Sequence, residues 1–173
     1  MRAARADPAA FGPLYHRYVD RVYSYLRTRA CAEADAADLT QQVFLRAMDG
    51  WPRYRGADGA FAPWLFRIAR NAAVDFHRRH RETVAWDLVP ETLHPRSEYG
   101  LDRPLERREA LAHLRQLFNA LDADMRELLV LRFTAGLRVG EIAAVLGQSE
   151  TAVQKRLSRT IQRLKERYHD DAR

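Results

Sequence analysis

The sequence predicts an all-α protein in which two small helical domains are joined by a linker. Apolar residues recur at the i, i+3, i+4, i+7 spacing of amphipathic helices in both halves of the chain. Between the halves this periodicity fades, and three of the seven prolines interrupt a mixture of charged and isolated apolar residues. We therefore place a first domain at 8–81, a linker at 82–108 and a second domain at 109–169.

The first domain is predicted to be a unit of three or four helices. An amphipathic helix of about four to five turns runs from Phe11 to Leu26, and a break around residues 29–35 ends it. The next helix spans about Asp35 to Met48 and turns a mostly polar face outward, formed by Asp38, Gln41, Gln42, Leu45 and Arg46. The third helix runs from Phe61 to Arg81, and its inward residues are Leu65, Ile68, Ala69, Ala72, Ala73 and Phe76.

The third helix carries a basic face beside an aromatic loop. Opposite its apolar seam lie Arg67, Arg70, Asn71, Val74 and Arg78. Residues 50–59, just ahead, alternate aromatic and basic side chains and contain too much Gly and Pro for a helix. Such a pattern suits unstacked bases, because any base can stack on a ring while cations follow the phosphates. The alternative is that Trp51, Tyr54, Phe61 and Trp64 are core residues, and that Arg78 to Arg81 form a solvated helix end.

The second domain is predicted to end in a helix-turn-helix. A helix containing Leu111 to Leu121 is followed by Asp122, a good cap for the next helix, and Gly136 stops that helix. A short helix, Val139 to Leu146, then leads through Gly147 to Ser149, which caps a long helix. The buried stripe of the long helix contains Val153, Leu157, Ile161, Leu164 and Tyr168.

The leading half of the long helix presents polar side chains away from this stripe. Thr151, Gln154, Lys155, Ser158 and Arg159 are suited to base edges in a major groove. Further basic residues are suited to phosphates: Arg156, Arg163, Lys165 and Arg167. The alternative is an ordinary bundle corner with a solvated basic helix.

Charge and composition agree with a nucleic-acid partner. The chain has 173 residues, a net charge of +6 and a pI near 9.9. Five arginines against one aspartate lie in residues 65–81, and six basic residues against two glutamates lie in 149–169, so the positive charge is held in two patches. Cys31 is the only cysteine, which favours a reducing cytoplasm and excludes an internal disulfide or a thiolate zinc cluster. The N-terminal residues lack the apolar core of a signal peptide, and no apolar run is long enough to cross a bilayer.

Two well-separated stretches resemble one known family in the same order. Residues 36–47 (AADLTQQVFLRA), 61–71 (FAPWLFRIARN) and the pair Asp75 and Arg78 resemble region 2 of the extracytoplasmic-function sigma factors of bacterial RNA polymerase. Residues 121–132 (LDADMRELLVLR), 136–147 (GLRVGEIAAVLG) and 149–159 (SETAVQKRLSR) resemble region 4 of the same family. A helix-turn-helix alone is a weak signal, whereas this ordered pair is a strong one.

The resemblance implies a protein that binds core polymerase and directs it to promoters. It assigns core binding to Asp38, Gln41, Gln42 and Leu45. It assigns the minus-ten element, including an extruded base, to Trp51, Tyr54, Arg55, Trp64, Arg67, Arg70, Asn71 and Arg78. It assigns the minus-thirty-five element to Ser149, Thr151, Gln154, Lys155, Arg156 and Arg159. An anti-sigma protein is a further candidate partner, and no cofactor, metal, catalytic residue or membrane insertion is expected.

The chain also departs from the family pattern. Ala37 and Gln42 replace residues that are usually acidic, so the core-binding face carries less negative charge than is typical. Gln148 replaces a usual apolar turn residue, and Gly140 is expected to interrupt the helix before Glu141.

Two other functions are compatible with parts of the sequence. A stand-alone helix-turn-helix regulator would bind a palindromic duplex site as a dimer, but it leaves residues 51–81 unexplained. A metal-dependent nuclease would use His77, His80 and a carboxylate, but no carboxylate cluster accompanies these histidines and the surrounding arginines repel a cation.

Overall fold

A computed structural model of the chain describes residues 11–30, 32–55, 60–80 and 104–170. The regular structure in these ranges is helical, so the predicted all-α fold is confirmed. The first domain contains α1 (Phe11–Arg27), α2 (Glu33–Gly50) and α3 (Phe61–His80), with a short 3-10 turn at Trp51–Arg53. The second contains α4 (Pro104–Asn119), α5 (Ala123–Leu129) continued by a π-helical turn at Val130–Thr134, α6 (Val139–Leu146) and α7 (Glu150–Asp170). No helix in the described residues is long and apolar enough to cross a membrane.

In the first domain α2 packs against both α1 and α3. The predicted seam of α3 is confirmed at Leu65, Ala69, Ala72 and Ala73, which are buried, while its other two members are half-buried. An aromatic cluster closes one end of this bundle, where Phe11, Phe44, Trp51 and Phe61 meet mainly edge to face.

The second domain packs α7 against α4, α5 and α6. Val153, Leu157 and Leu164 of the predicted stripe are buried, and Ile161 and Tyr168 are half-buried against the same core. Asp122 caps α5 as predicted, because its Oδ1 accepts a hydrogen bond from the backbone N–H of Met125 at 2.7 Å. Gly136 ends the helical segment that begins with α5, in the left-handed conformation at φ 63°.

Three local expectations differ from the structure. Helix α2 continues through Gly50, and Trp51–Arg53 forms a 3-10 turn rather than a loop. Pro52 is compatible with this turn because the first residues of a helix need no backbone N–H for hydrogen bonding within it. Helix α4 likewise begins at Pro104, inside the stretch assigned to the linker. Gly140 does not interrupt α6 but lies in its first turn, where a Cβ would stand 2.7 Å from Glu150 Oε1. Because that oxygen ends a flexible, exposed side chain, Glu150 can move aside, and the contact does not by itself require glycine at this position.

The two domains contact each other directly. Helix α3 packs along α6, and α1 packs against the π-helical turn. Phe66, on the side of α3 that sequence periodicity left outside the seam, is fully buried. The guanidinium of Arg21 donates hydrogen bonds to the carbonyls of Ala135 and Gly136 at 2.8 and 3.1 Å. These bonds give partners to carbonyl groups at the C-terminal end of the helical segment that begins with α5.

Candidate nucleic-acid and partner interfaces

The predicted core-binding residues share one exposed surface, which we call the α2 outer face: Asp38, Gln41, Gln42 and Leu45. Leu45 is 50% exposed. A groove of about 710 Å³ between α1 and α2 adjoins it and is lined by Gln41, Leu45, Met48, Tyr15 and neighbouring residues. The α2 outer face thus combines hydrogen-bonding groups with accessible apolar surface, as a protein contact requires.

The predicted basic surface of the third helix is also present, and we call it the α3 basic face: Arg67, Arg70, Asn71, Val74 and Arg78. Arg67, Asn71 and Arg78 are exposed, and Val74 is 53% exposed between them. Arg78 Nη2 lies 3.5 Å from Asp75 Oδ1, an exposed pair of little energetic weight. The Arg70 side chain is only 41% exposed, because it turns toward the second domain. Three polar side chains of this face are therefore open to an anionic ligand.

The structure divides the candidate stacking aromatics into buried and accessible rings. Trp51 is buried, with its ring stacked on Tyr54 at 5.6 Å and its other contacts edge-on to Phe11 and Phe61. Its indole N–H is buried and has no hydrogen-bond partner among the described residues. Trp51 therefore occupies the core position that the alternative interpretation assigned to it, and it offers no free ring face to a base in this arrangement.

Tyr54 and Trp64 lie nearer the surface than Trp51. Both are half-buried, and their rings meet at 4.8 Å. Trp64 rests on Gly50, where a Cβ would stand 3.0 Å from its ring. The exposed side chain of Arg55 donates hydrogen bonds to the carbonyls of Pro52 and Tyr54 at 2.9 and 3.3 Å, which holds this corner together. Residues 56–59 of the predicted loop lie outside the described residues.

The helix-turn-helix is formed by α6 and α7, as predicted. Gly147 ends α6 in the left-handed conformation at φ 65° and ψ 35°. Ser149 Oγ accepts a hydrogen bond from the backbone N–H of Ala152 at 3.2 Å and so caps α7. The polar residues of the leading turns, which we call the α7 leading face, are all exposed: Thr151, Gln154, Lys155, Ser158 and Arg159.

Arg156 differs from its neighbours on α7, because it is partly held by other residues. Its Nη1 donates to Gln148 Oε1 at 3.2 Å, and its Nη2 lies 3.5 Å from Asp124 Oδ2. Gln148, the residue that departs from the family pattern, thereby braces the turn against α7. Arg156 is consequently directed toward α5, away from the open part of the α7 leading face.

Sequence reasoning missed a charged cluster between the domains. The carboxylate of Glu127, on α5, accepts a hydrogen bond from the Tyr25 hydroxyl at 2.9 Å and forms an ion pair with Arg29. Arg70 Nε lies 3.7 Å from the same carboxylate. Burial raises the pKa of Tyr25 well above its ordinary range, so its hydroxyl remains a donor. Nothing in helical periodicity signals this cluster, because its members come from α1, α3, α5 and the residues after α1.

The described residues contain no group of three or more His, Cys, Asp and Glu side chains placed to hold a metal ion. The side chain of His80, one of the two histidines of the nuclease hypothesis, lies outside the described residues. A bundle with an arginine-rich helix, followed by a capped helix-turn-helix, defines the class of this molecule as a two-domain, all-helical protein of the DNA-binding type.

Comparison with known proteins identifies the family. Residues 14–83 match the model of sigma-70 region 2, and residues 111–164 match that of sigma-70 region 4. The chain is 33% identical over 162 residues to the RNA polymerase sigma factor NccH of Alcaligenes xylosoxydans, covering 91% of this chain and 86% of NccH. It is 36% identical to the ECF RNA polymerase sigma factor BldN of Streptomyces coelicolor, covering 99% of this chain and 65% of BldN, so it spans about two thirds of that relative. The chain belongs to the extracytoplasmic-function sigma factors of the sigma-70 family, which are transcription initiation factors.

Solved structures agree with this assignment. The structure of CnrH in complex with the cytosolic domain of CnrY is similar with a TM-score of 0.67 and 29% identity, covering 98% of this chain and 94% of CnrH. The sigma factor RpoE of Bartonella quintana, in complex with the anti-sigma factor NepR, has the same fold with a TM-score of 0.62 and 23% identity, covering 90% of this chain and 94% of RpoE. The family models and the curated relatives favour a sigma factor over a stand-alone helix-turn-helix regulator.

Proposed function

We propose that this protein binds core RNA polymerase through the α2 outer face and directs it to promoters through two DNA-binding surfaces. The α3 basic face, with Tyr54 and Trp64, captures the opened minus-ten strand, and the α7 leading face reads the minus-thirty-five duplex. One observation supports this most directly: a polar and apolar protein-contact face, a basic helix and a helix-turn-helix are all exposed and occur in the order of sigma regions 2 and 4.

The two DNA surfaces suit two different forms of DNA. Arg67, Asn71 and Arg78 offer two cations and one amide along the helix that carries the partly accessible Trp64, a combination that holds a single strand by phosphate contacts and base stacking. Gln154, Lys155 and Arg159 project from the first turns of a capped helix, which is the geometry for base edges in a major groove. Exposed Arg163, Lys165 and Arg167 are available to phosphates.

Extrusion of a base from the minus-ten duplex costs a few kcal/mol of lost stacking and pairing, which the pocket must return. Trp51 is a poor candidate for direct stacking because it is buried, so we assign the base contact to Tyr54 or Trp64 with Asn71. In this proposal Trp51 positions Tyr54 by stacking on its ring, with the two ring centroids 5.6 Å apart. Arg55 donates a hydrogen bond to the backbone carbonyl of Pro52, and in this proposal its guanidinium binds DNA phosphates.

The proposed role is one of binding and positioning, with no catalytic group of its own. Its site of action is the cytoplasm, where polymerase and promoter DNA are found. Solved structures of similar fold include a sigma factor bound to an anti-sigma factor, and we include a protein inhibitor of that class among the candidate partners.

The test of this function is co-elution with sigma-free core polymerase in size-exclusion chromatography. The native chain should bind, and a variant with Asp38→Ala and Gln41→Ala should bind at least tenfold more weakly, because both side chains are exposed on the α2 outer face. The matched control carries Glu109→Ala and Gln116→Ala, the same chemical change at exposed positions of α4. If the native chain binds duplex DNA but not core polymerase, it is a stand-alone regulator and the proposed function is wrong.

A further inference from the structure

The cluster around Glu127 joins the two domains through one carboxylate. Glu127 belongs to the second domain, and its three partners, Tyr25, Arg29 and Arg70, belong to the first. The side chains of Arg29 and Glu127 are only 5% and 14% exposed, so this pair is largely removed from water. Arg29 is itself fixed inside the first domain, since its guanidinium lies 3.9 Å from the Tyr25 ring and donates to the Tyr25 carbonyl at 3.1 Å. A preformed cationic socket on the first domain therefore receives a single anion from the second.

Removing one partner of a buried ion pair is strongly destabilising, because the other charge is left buried alone. If Glu127 were neutral while the domains stayed together, the Arg29 charge would remain buried without its counter-ion. Separation of the domains would return Arg29 to water. Neutralising Glu127 should therefore shift the equilibrium between joined and separated domains toward separation by about 100-fold.

The joined arrangement is incompatible with simultaneous contact to both promoter elements. Elements centred at minus ten and minus thirty-five lie about 25 base pairs apart, which is about 85 Å at about 3.4 Å per base pair. A compact chain of this length has a radius of gyration of about 16 Å and a diameter of about 40 Å. The contact also takes up Arg70, a member of the α3 basic face, through Glu127. The domains must separate before both DNA surfaces can act together.

We propose that Glu127 and its socket of Tyr25, Arg29 and Arg70 form a latch that keeps the free protein closed and engages Arg70, which weakens the binding of single-stranded DNA to the α3 basic face. Arg21 is a second, independent fastening through its hydrogen bonds to the carbonyls of Ala135 and Gly136. The biological consequence of the latch rests on the proposed function, because it is polymerase binding that would supply the energy for opening. The closed state itself does not depend on that function.

The test compares the full-length native chain with Glu127→Gln, which keeps the shape of the side chain and removes its charge. The matched control is Glu109→Gln, the same change at an exposed position of the second domain. Small-angle X-ray scattering should give a radius of gyration near 16 Å for the native chain and the control, rising to about 20 Å or more in Glu127→Gln. Without polymerase, the affinity for a fluorescent single-stranded oligonucleotide should rise about tenfold in Glu127→Gln alone. Circular dichroism checks that helical content is unchanged.

Arg21→Gln provides a second variant in case Glu127→Gln loses helical structure, since it breaks the other fastening and should also expand the chain. An extended native chain, or a Glu127→Gln chain as compact as the native one, would overturn the latch. Expansion without a gain in single-strand affinity would show that the engagement of Arg70 does not weaken DNA binding to the α3 basic face, and would overturn that part. Failure of the native chain to bind core polymerase would count against the proposed function, whereas the scattering result would stand.

Discussion

The turn of the helix-turn-helix depends on Gly147, and its replacement gives a sharp test of the structure. Gly147 has φ 65° and ψ 35°, the left-handed conformation that L-residues with a Cβ adopt at a cost of about 1 kcal/mol or more. A Cβ at this position would meet no atom within 4 Å, so conformational strain alone should act. We expect Gly147→Ala to lower the free energy of unfolding by about 1 kcal/mol, and Gly147→Asn to cost less because asparagine tolerates this conformation.

Thermal unfolding followed by circular dichroism measures this effect and also reports on domain coupling. A loss of about 1 kcal/mol lowers Tm by about 4–8 °C if the second domain unfolds alone, and by about 2–4 °C if both domains unfold as one unit. The closed arrangement leads us to expect the smaller shift. The matched control is Gly12→Ala in α1, where a Cβ also meets nothing within 4 Å and the backbone is helical, so stability should rise by up to about 1 kcal/mol. A Gly147→Ala chain as stable as the native one, or equal destabilisation by alanine and asparagine, would contradict a left-handed conformation at Gly147.

Single substitutions at four further positions have measurable consequences. Arg159→Ala should weaken binding to the minus-thirty-five duplex by about 1–3 kcal/mol and relax sequence preference at one position, as measured by fluorescence anisotropy; an unchanged preference would reject base reading. Asn71→Ala should reduce permanganate reactivity of the promoter bubble while duplex binding is retained, whereas the control Asn119→Ala, the same change at an exposed position of α4, should leave a normal bubble. Asp122→Ala removes the cap of α5 and should cost about 1 kcal/mol in chemical denaturation; no loss would mean that the 2.7 Å bond contributes nothing. Burial raises the pKa of Tyr25, so the contribution of its hydroxyl to stability is complete below the unfolded-state pKa of about 10 and declines as pH rises above it. Tyr25→Phe should flatten this decline in the free energy of unfolding between about pH 9.5 and 11. An unaltered pH profile would contradict a raised pKa for Tyr25.

Much of the local structure follows from sequence because its causes are local. Asp122, Gly136, Gly147 and Ser149 were all predicted as helix boundaries and all act as boundaries, since caps and left-handed turns depend on the residue itself and its immediate neighbours. The outward orientation of Asp38 and Gln41 followed from helical period in the same way.

The accessibility of the candidate site residues could be predicted only in part. Periodicity correctly left Arg67 and Asn71 exposed, but it could not separate Trp51, which is buried, from Trp64, which lies nearer the surface. The reason is that residues 50–59 have no regular period, so the direction of each ring is decided by the side chains that it meets. For Trp51 these side chains are Phe11, which is far from it in sequence, and Phe61, which lies beyond the loop.

The sequence by itself determined the helical class, the positions of the helix-turn-helix caps, the two basic patches and the family resemblance, because each depends on residue type and short-range spacing. Only the tertiary structure decided that Phe66 is buried, with its ring edge-on to Tyr25 at 5.5 Å, and that Glu127 gathers Tyr25, Arg29 and Arg70. The bonds of Glu127 to Tyr25 and Arg29 join residues 102 and 98 positions apart in sequence. A helical period carries information over a few turns, whereas contacts between domains depend on how two complete surfaces meet.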